Sequence, residues 1–160
     1  MKRLDNVNDS AFIFGSVLVV ANKMDTLLDR VLNKHNITSK QWFLLLILFN
    51  LFEHPPTIKE VSKEMGSSHQ NVKQVALKLK EKGMLKLERD KKDLRVTRLV
   101  VTEKSYDFWK ETEIDGMKFM KEFYAGVEND KLESGRLLLT QIMQNLEIME
   151  EDNKIKGGNL

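Results

Sequence analysis

The sequence predicts a mainly α-helical chain with one small β-hairpin, and three observations predict it. Apolar residues recur at three- and four-residue steps through most of the chain. That period gives way to alternation only in residues 84–101, on either side of a charged run. Thr38, Thr57 and Ser67 each stand three places ahead of a Gln or Glu (Gln41, Glu60, Gln70), the spacing of a helix-opening capping box.

The first helix is expected over residues 10–33. Phe14, Val17, Leu18, Ala21, Met24, Leu28, Val31 and Leu32 form an apolar stripe, and Ile13, Val20 and Leu27 widen it. A helix this apolar on several sides has more to bury than one small core requires, which points to a partner chain. Thr38 and Gln41 open a second helix, Trp42 to Leu48, that is apolar nearly all round and therefore central. His54-Pro55-Pro56 ends it, because proline lacks the N–H that a helix needs and restricts the residue before it.

Thr57 and Glu60 open a short third helix that closes before Gly66. Ser67 and Gln70 are read as the box for a fourth, residues 68–82, which stops at Gly83. Two short helices joined by a glycine-containing turn are the sequence form of a helix-turn-helix. Residues 84–89 and 95–101 then alternate, with Asp90-Lys91-Lys92-Asp93 between them as the tip of a hairpin. No Asn-Gly is present, so the loop is expected to exceed two residues. Thr102 is expected to cap a fifth helix that ends at Gly126. A sixth, residues 128–151, carries Leu132, Leu139, Ile142, Leu146 and Met149 at coiled-coil-like steps, with Gly135 where two backbones could approach.

These elements define the expected fold class: mainly α with a small β-hairpin wing, a winged helix-turn-helix flanked by N- and C-terminal dimerisation helices. The 160 residues suit one domain, 1–160. Its expected parts are a winged helix-turn-helix at 38–102, dimerisation helices at 10–33 and 103–152, and a flexible tail at 153–160.

Charge is unevenly placed. Residues 57–98 hold twelve Lys/Arg against six Asp/Glu, so this stretch carries +6 in a chain of net charge +2. A basic middle between slightly acidic ends is the footprint of a segment that meets a polyanion. On the fourth helix Val72, Val75, Ala76 and Leu79 share one face. The opposite face presents Gln70, Lys73, Gln74 and Lys78, with Ser67, Ser68, His69 and Asn71 near its start. Amide side chains can bind adenine edges, lysines reach guanine or phosphate, and a helix N-terminus favours phosphate. The hairpin adds Arg89, Lys91, Lys92 and Arg95 beside that face. Double-stranded DNA is the partner these groups imply. A polar helix face is more often merely solvated, but this one has no acid before Glu81 and a basic hairpin next to it.

The chain resembles the MarR (multiple antibiotic resistance regulator) family over nearly its whole length. The resemblance is carried by Gln41-Trp42, by Ser67-Ser68-His69-Gln70-Asn71-Val72-Lys73, and by Lys80-Glu81-Lys82-Gly83. Asp93-Leu94-Arg95 and Val101-Thr102-Glu103-Lys104 extend it, within a helix-turn-helix core at 57–106. Ser105 stands where the family usually has Gly, and Val101 where it has Leu. The resemblance implies a homodimeric transcriptional regulator that reads a palindromic operator with recognition helix 67–82 and wing 89–95. It also implies an Asp93–Arg95 pair that shapes the wing tip while Arg95 enters a minor groove. A small lipophilic or aromatic effector is implied where the dimer helices meet the winged region, with Phe14, Trp42, Leu46 and Trp109 as candidate lining. Aromatics at helical spacing are more often plain core.

Other classes have less support. With no cysteine, a disulfide framework, a thiolate zinc site and a thiol sensor are excluded, and a cytoplasmic setting is expected. His35, His54 and His69 lie apart in the sequence, so no metal site and no cofactor are expected. No phosphate loop or nucleophile motif stands out, which argues against an enzyme. The start of the chain does not read as a signal peptide, and the apolar stretch 11–21 is short for a membrane span. The runner-up is a winged-helix adaptor that binds another protein and has no DNA sequence preference.

Overall fold

The structure, a computed structural model, describes residues 7–157, with side chains placed through Asp152. Its order is α1 (Asp9–Leu32), a single 3-10 turn (Asn33–His35), α2 (Ser39–Asn50), α3 (Ile58–Glu64) and α4 (His69–Glu81). The strands β1 (Leu85–Arg89) and β2 (Thr97–Val101) follow, then α5 (Glu103–Phe123) and α6 (Asn129–Gly157). The mainly helical class with one antiparallel hairpin is therefore the observed one. The chain divides into two units, one ending at Phe119 and one beginning at Met120.

The core lies in the first unit. Leu44, Leu45, Val61, Val72, Ala76, Leu79, Leu85 and Leu99 are almost wholly buried, and they come from α2, α3, α4 and both strands. Burying side chains of this size favours the fold by roughly 1.5–3 kcal/mol each. The helix-turn-helix and the hairpin thus share one core. Phe108 of α5 joins it, and Ser105 is fully buried there with its hydroxyl donating to the Met84 carbonyl. That buried polar group is satisfied and anchors the start of α5 to the residue just before β1.

Local signals place the elements. The boxes at Thr38–Gln41 and Thr57–Glu60 form in both directions, opening α2 and α3. Gly66 and Gly83 adopt φ of +56° and +73°, a region glycine enters at no steric cost, and each turns the chain after a helix. The strands pair Leu85 with Val101, Leu87 with Leu99 and Arg89 with Thr97, so the tip spans residues 90–96.

Several boundaries differ from the sequence expectation. α1 starts at Asp9, because the Asn8 side chain accepts from the Ala11 N–H at 2.9 Å. The cap of α4 is Ser68, accepting from Asn71 N–H at 3.2 Å, and Ser67 does not form a box with Gln70. The Thr102 hydroxyl donates to the carbonyls of Gly83 and Met84, fastening α5 to the hairpin. Residues 153–157, expected in a flexible tail, continue α6; the rest of that expected tail, 158–160, lies outside the described residues. A Cβ at Gly135 would meet nothing within 4 Å, so no backbone approaches it within the chain.

α1 is distinctive. Phe12, Phe14, Val17, Leu18, Val19, Val20, Met24 and Leu27 are all exposed. The segment Asp9–His35 is long and apolar enough by length and composition to cross a membrane, beyond what the stretch 11–21 suggested. Its C-terminal half is bound to α2 by polar contacts: Asp29 accepts from the Ser39 N–H at 2.6 Å, and Asp25 accepts from the Ser39 hydroxyl.

Candidate nucleic-acid interface

α4 turns Val72, Val75, Ala76 and Leu79 into the core, which leaves Ser68, His69, Gln70, Asn71, Lys73, Gln74 and Lys78 exposed. Leu77 is half-buried, and so is Ser67. The polar residues separate into two sides. His69 and Lys73 line a cleft of about 690 Å³ with Arg89, Arg95 and Thr97 of the hairpin. Asn71, Gln74 and Lys78 instead line a second cleft of about 320 Å³ that also takes in Asp25, Asp29 and Lys40. Periodicity shows that these side chains share an outward face but not which neighbour each faces.

Asn71 is not free for a partner in this state. Its amide Nδ2 donates to Ser67 Oγ at 2.7 Å. Both residues brace the helix start, where the unpaired backbone N–H groups and the helix dipole favour an anion.

The hairpin tip is built by two aspartates. Asp93 accepts from the backbone N–H and Nε of Arg95 at 3.0 and 3.1 Å and from its Nη2 at 3.3 Å. The Arg95 guanidinium beside it holds the Asp93 carboxyl below its usual range. The Arg95 side chain is still 91% exposed, so its fork stays open to a further anion. Arg89 donates to the Leu94 carbonyl at 3.1 Å, and Lys91 and Lys92 are exposed.

Asp90 and Arg98 were not singled out in the sequence. Asp90 accepts from the backbone N–H groups of Lys92 and Asp93 at 2.8 and 3.0 Å, and from Arg98 Nε. The Arg98 hydrogen bond leads these in pulling the Asp90 carboxyl down to about 2. Arg98 also reaches the Pro55 carbonyl at 2.8 Å. No spacing rule links Arg98 to the residue before Pro56, because that contact exists only once the hairpin folds back.

The candidate effector residues are partly brought together. Trp42 and Trp109 stack at 5.9 Å with planes 11° apart, and Phe49 packs on Trp109 at 5.2 Å. Leu46 is half-buried, whereas Phe14 stands 72% exposed on α1. A ligand between the two indoles would have to part their stack. His35 pairs with Asp115 at 2.8 Å and sets its ring edge-on to Phe108. Among the described residues no group of three or more His, Asp or Glu side chains is placed to hold a metal.

The fold can be compared with known structures. A MarR protein of Peptoclostridium difficile superposes with a TM-score of 0.76 at 19% identity, covering 90% of this chain and 92% of that one. The fold is the MarR winged helix-turn-helix. The MarR fold is shared with a MepR–DNA complex of S. aureus (TM-score 0.74, 16% identity, 87% and 99% covered). It is shared too with a MarR family transcriptional regulator of Streptomyces coelicolor in complex with DNA (0.76, 15%, 85% and 86%). No family model and no curated sequence matches the chain, so the likeness to MarR structures is one of architecture.

Proposed function

We propose that this chain is a homodimeric, sequence-specific DNA-binding transcriptional regulator, acting as a repressor in the cytoplasm. The observation that carries the reading is the cleft that His69 and Lys73 of α4 line together with Arg89 and Arg95 of the hairpin, with Lys91 and Lys92 exposed at the hairpin tip. The two DNA complexes among the similar structures support it, since their proteins share this architecture. In this reading α4 enters a major groove, where Gln70 and Gln74 read base edges and Lys73 and Lys78 hold phosphates. Arg95, supported by Asp93, enters the adjoining minor groove.

Two recognition helices about 34 Å apart would read a palindrome, one half-site per protomer. The exposed apolar residues of α1, with Ile114 and Met117 of the same unit, are apolar surface that a second copy would cover. A lipophilic or aromatic effector that parts Trp42 from Trp109 would favour a helix spacing that no longer fits DNA.

Selection of bound sequences from a random DNA pool at about 150 mM salt tests the reading. A palindrome bound roughly a thousandfold over nonspecific DNA is the expected outcome. Weak binding without a motif would put the protein-interaction adaptor in its place.

A further inference from the structure

We propose that Arg98 is a positioning residue that sets the angle of the wing, and hence the width of the cleft in which DNA is held. This rests on the DNA-binding reading above. One Arg98 nitrogen donates to the Pro55 carbonyl at 2.8 Å, in the loop that leads into α3. Another donates to Asp90, at the first position of the wing tip. The same guanidinium therefore holds the loop and the tip at once through two nitrogens fixed in one plane, where a lysine would have a single nitrogen to share between them.

Further contacts converge there. The Leu99 N–H donates to the Pro56 carbonyl at 2.8 Å, the bond that makes Thr57 and Arg98 an isolated antiparallel bridge. The Asp90 carboxylate holds the amides of Lys92 and Asp93. These bonds couple the double-proline loop to the segment that carries Lys91, Lys92 and Arg95. The 690 Å³ cleft is lined by Thr57, Ile58 and Lys59, directly after that loop, together with the hairpin and with His69 and Lys73 of α4. Loosening Arg98 weakens the tie between the loop and the hairpin.

Arg98 is not itself placed as a phosphate contact. Its side chain is 33% exposed and its hydrogen bonds go to Pro55 and Asp90, whose own side chain is 12% exposed. A residue that acts by position should change specific affinity and leave the count of neutralised phosphates alone. One that contacts phosphate should lower the salt slope by about 1.

The test uses the full chain with Arg98→Lys, Arg98→Gln and Asp90→Asn, each checked for fold by circular dichroism. DNA affinity is measured against salt on the selected operator and on nonspecific DNA. Amide hydrogen exchange is measured in the free protein. Arg98→Lys keeps the charge and loses the double grip, so operator affinity should fall about tenfold while nonspecific affinity and salt slope stay constant. Exchange at the Leu99, Lys92 and Asp93 amides should quicken in all three variants. The proposal is overturned if Arg98→Lys binds the operator as the parent does. It is equally overturned if Arg98→Gln lowers the salt slope by about 1 with exchange unchanged. Should Arg98→Gln fail to fold, Arg98→Lys and Asp90→Asn decide. A parent with no sequence preference would defeat the DNA reading instead, and unchanged exchange in Arg98→Lys would then defeat the wing anchor separately.

Discussion

Lys82 donates from its Nζ to Gln41 Oε1 at 3.0 Å and also to the Asn36 carbonyl, which ties the C-cap of α4 to the capping box of α2. Gln41 is 3% exposed, and its Oε1 also accepts from the Thr38 N–H at 3.2 Å. The end of the recognition helix is thus fixed to the central helix, which in turn is held to α1 by Ser39 with Asp25 and Asp29. Lys82→Met should cost about 1–2 kcal/mol, because it breaks bonds of a charged donor. The lower end is favoured, since burial already disfavours the Lys82 charge and lowers its pKa, with Lys78 adding to the effect. Urea unfolding midpoints measure it. A variant as stable as the parent would show that the tie contributes nothing.

Acid should weaken the fold through carboxylates both in the wing and outside it. Asp90 is held at about 2 by Arg98 and then by the Asp93 and Lys92 amides. Asp93 is lowered by Arg95, Asp115 by Lys34 and then His35, and Glu60 by the Thr57 backbone N–H. A carboxyl whose folded pKa lies below its unfolded value stabilises the fold fully above the unfolded value, about 4, and loses that contribution as pH falls through the folded one. Melting temperature should therefore drop as pH falls from about 4 toward 2. Asp90→Asn should flatten part of that drop, and an unchanged profile in this variant would remove Asp90 from the account.

The sequence carried the order of elements because the signals involved are local. A Thr three residues before Gln or Glu reports its own cap, as at Thr38 and Thr57, and a change of period reports a hairpin. It was weaker where two adjacent residues compete for one role. Ser67 and Ser68 both suit an N-cap, and the choice fell to Ser68 because Ser67 receives the Asn71 amide. Contacts between distant segments left no local mark. Arg98 with Pro55 is one, and the division of α4 into a hairpin side at Lys73 and an α1 side at Gln74 is another. The helical continuation to Gly157 passed unseen because two glycines in succession look like an ending.

The two serines make a clean pair of variants. Ser68→Ala removes the bond to the Asn71 N–H and should cost about 1 kcal/mol, the usual loss for an N-cap. Ser67→Ala removes only a surface side-chain bond and should stay within about 0.5 kcal/mol. Equal losses by thermal unfolding would mean that both serines cap the helix.

Gly83 offers a test of backbone strain. A Cβ there has room, with the nearest atom, Lys104 Cδ, at 3.8 Å, but φ is +73°. Gly83→Ala should therefore destabilise through conformation alone, by about 1 kcal/mol or somewhat more. Gly116, in the middle of α5 with nothing near its Cβ position, should respond oppositely, with Gly116→Ala gaining a few tenths to about 1 kcal/mol. Chemical denaturation of both variants checks the contrast, which vanishes if steric room and not φ governs Gly83.

Assembly is tested on α1, where Val17, Leu18, Val19 and Val20 are 43–56% exposed in succession. Each step turns the helix by about 100°, so four consecutive residues reach most of its circumference. One flat partner surface cannot cover them all, and a partner that wraps the helix can. Within the chain, α1 is held at its C-terminal half by the bonds from Asp25 and Asp29 to Ser39, which leaves these four residues for a second copy. Burying a leucine is worth roughly 1.5–3 kcal/mol, and a two-fold dimer loses it twice when Leu18 is replaced by Glu. Leu18→Glu should thus raise the dimer dissociation constant by about a hundredfold or more, since each tenfold corresponds to about 1.4 kcal/mol. Sedimentation equilibrium at micromolar protein measures it, with Lys23→Ala as a surface control on the same helix. A parent that sediments as a monomer, or a Leu18→Glu variant that dimerises like the parent, would require some other cover for α1.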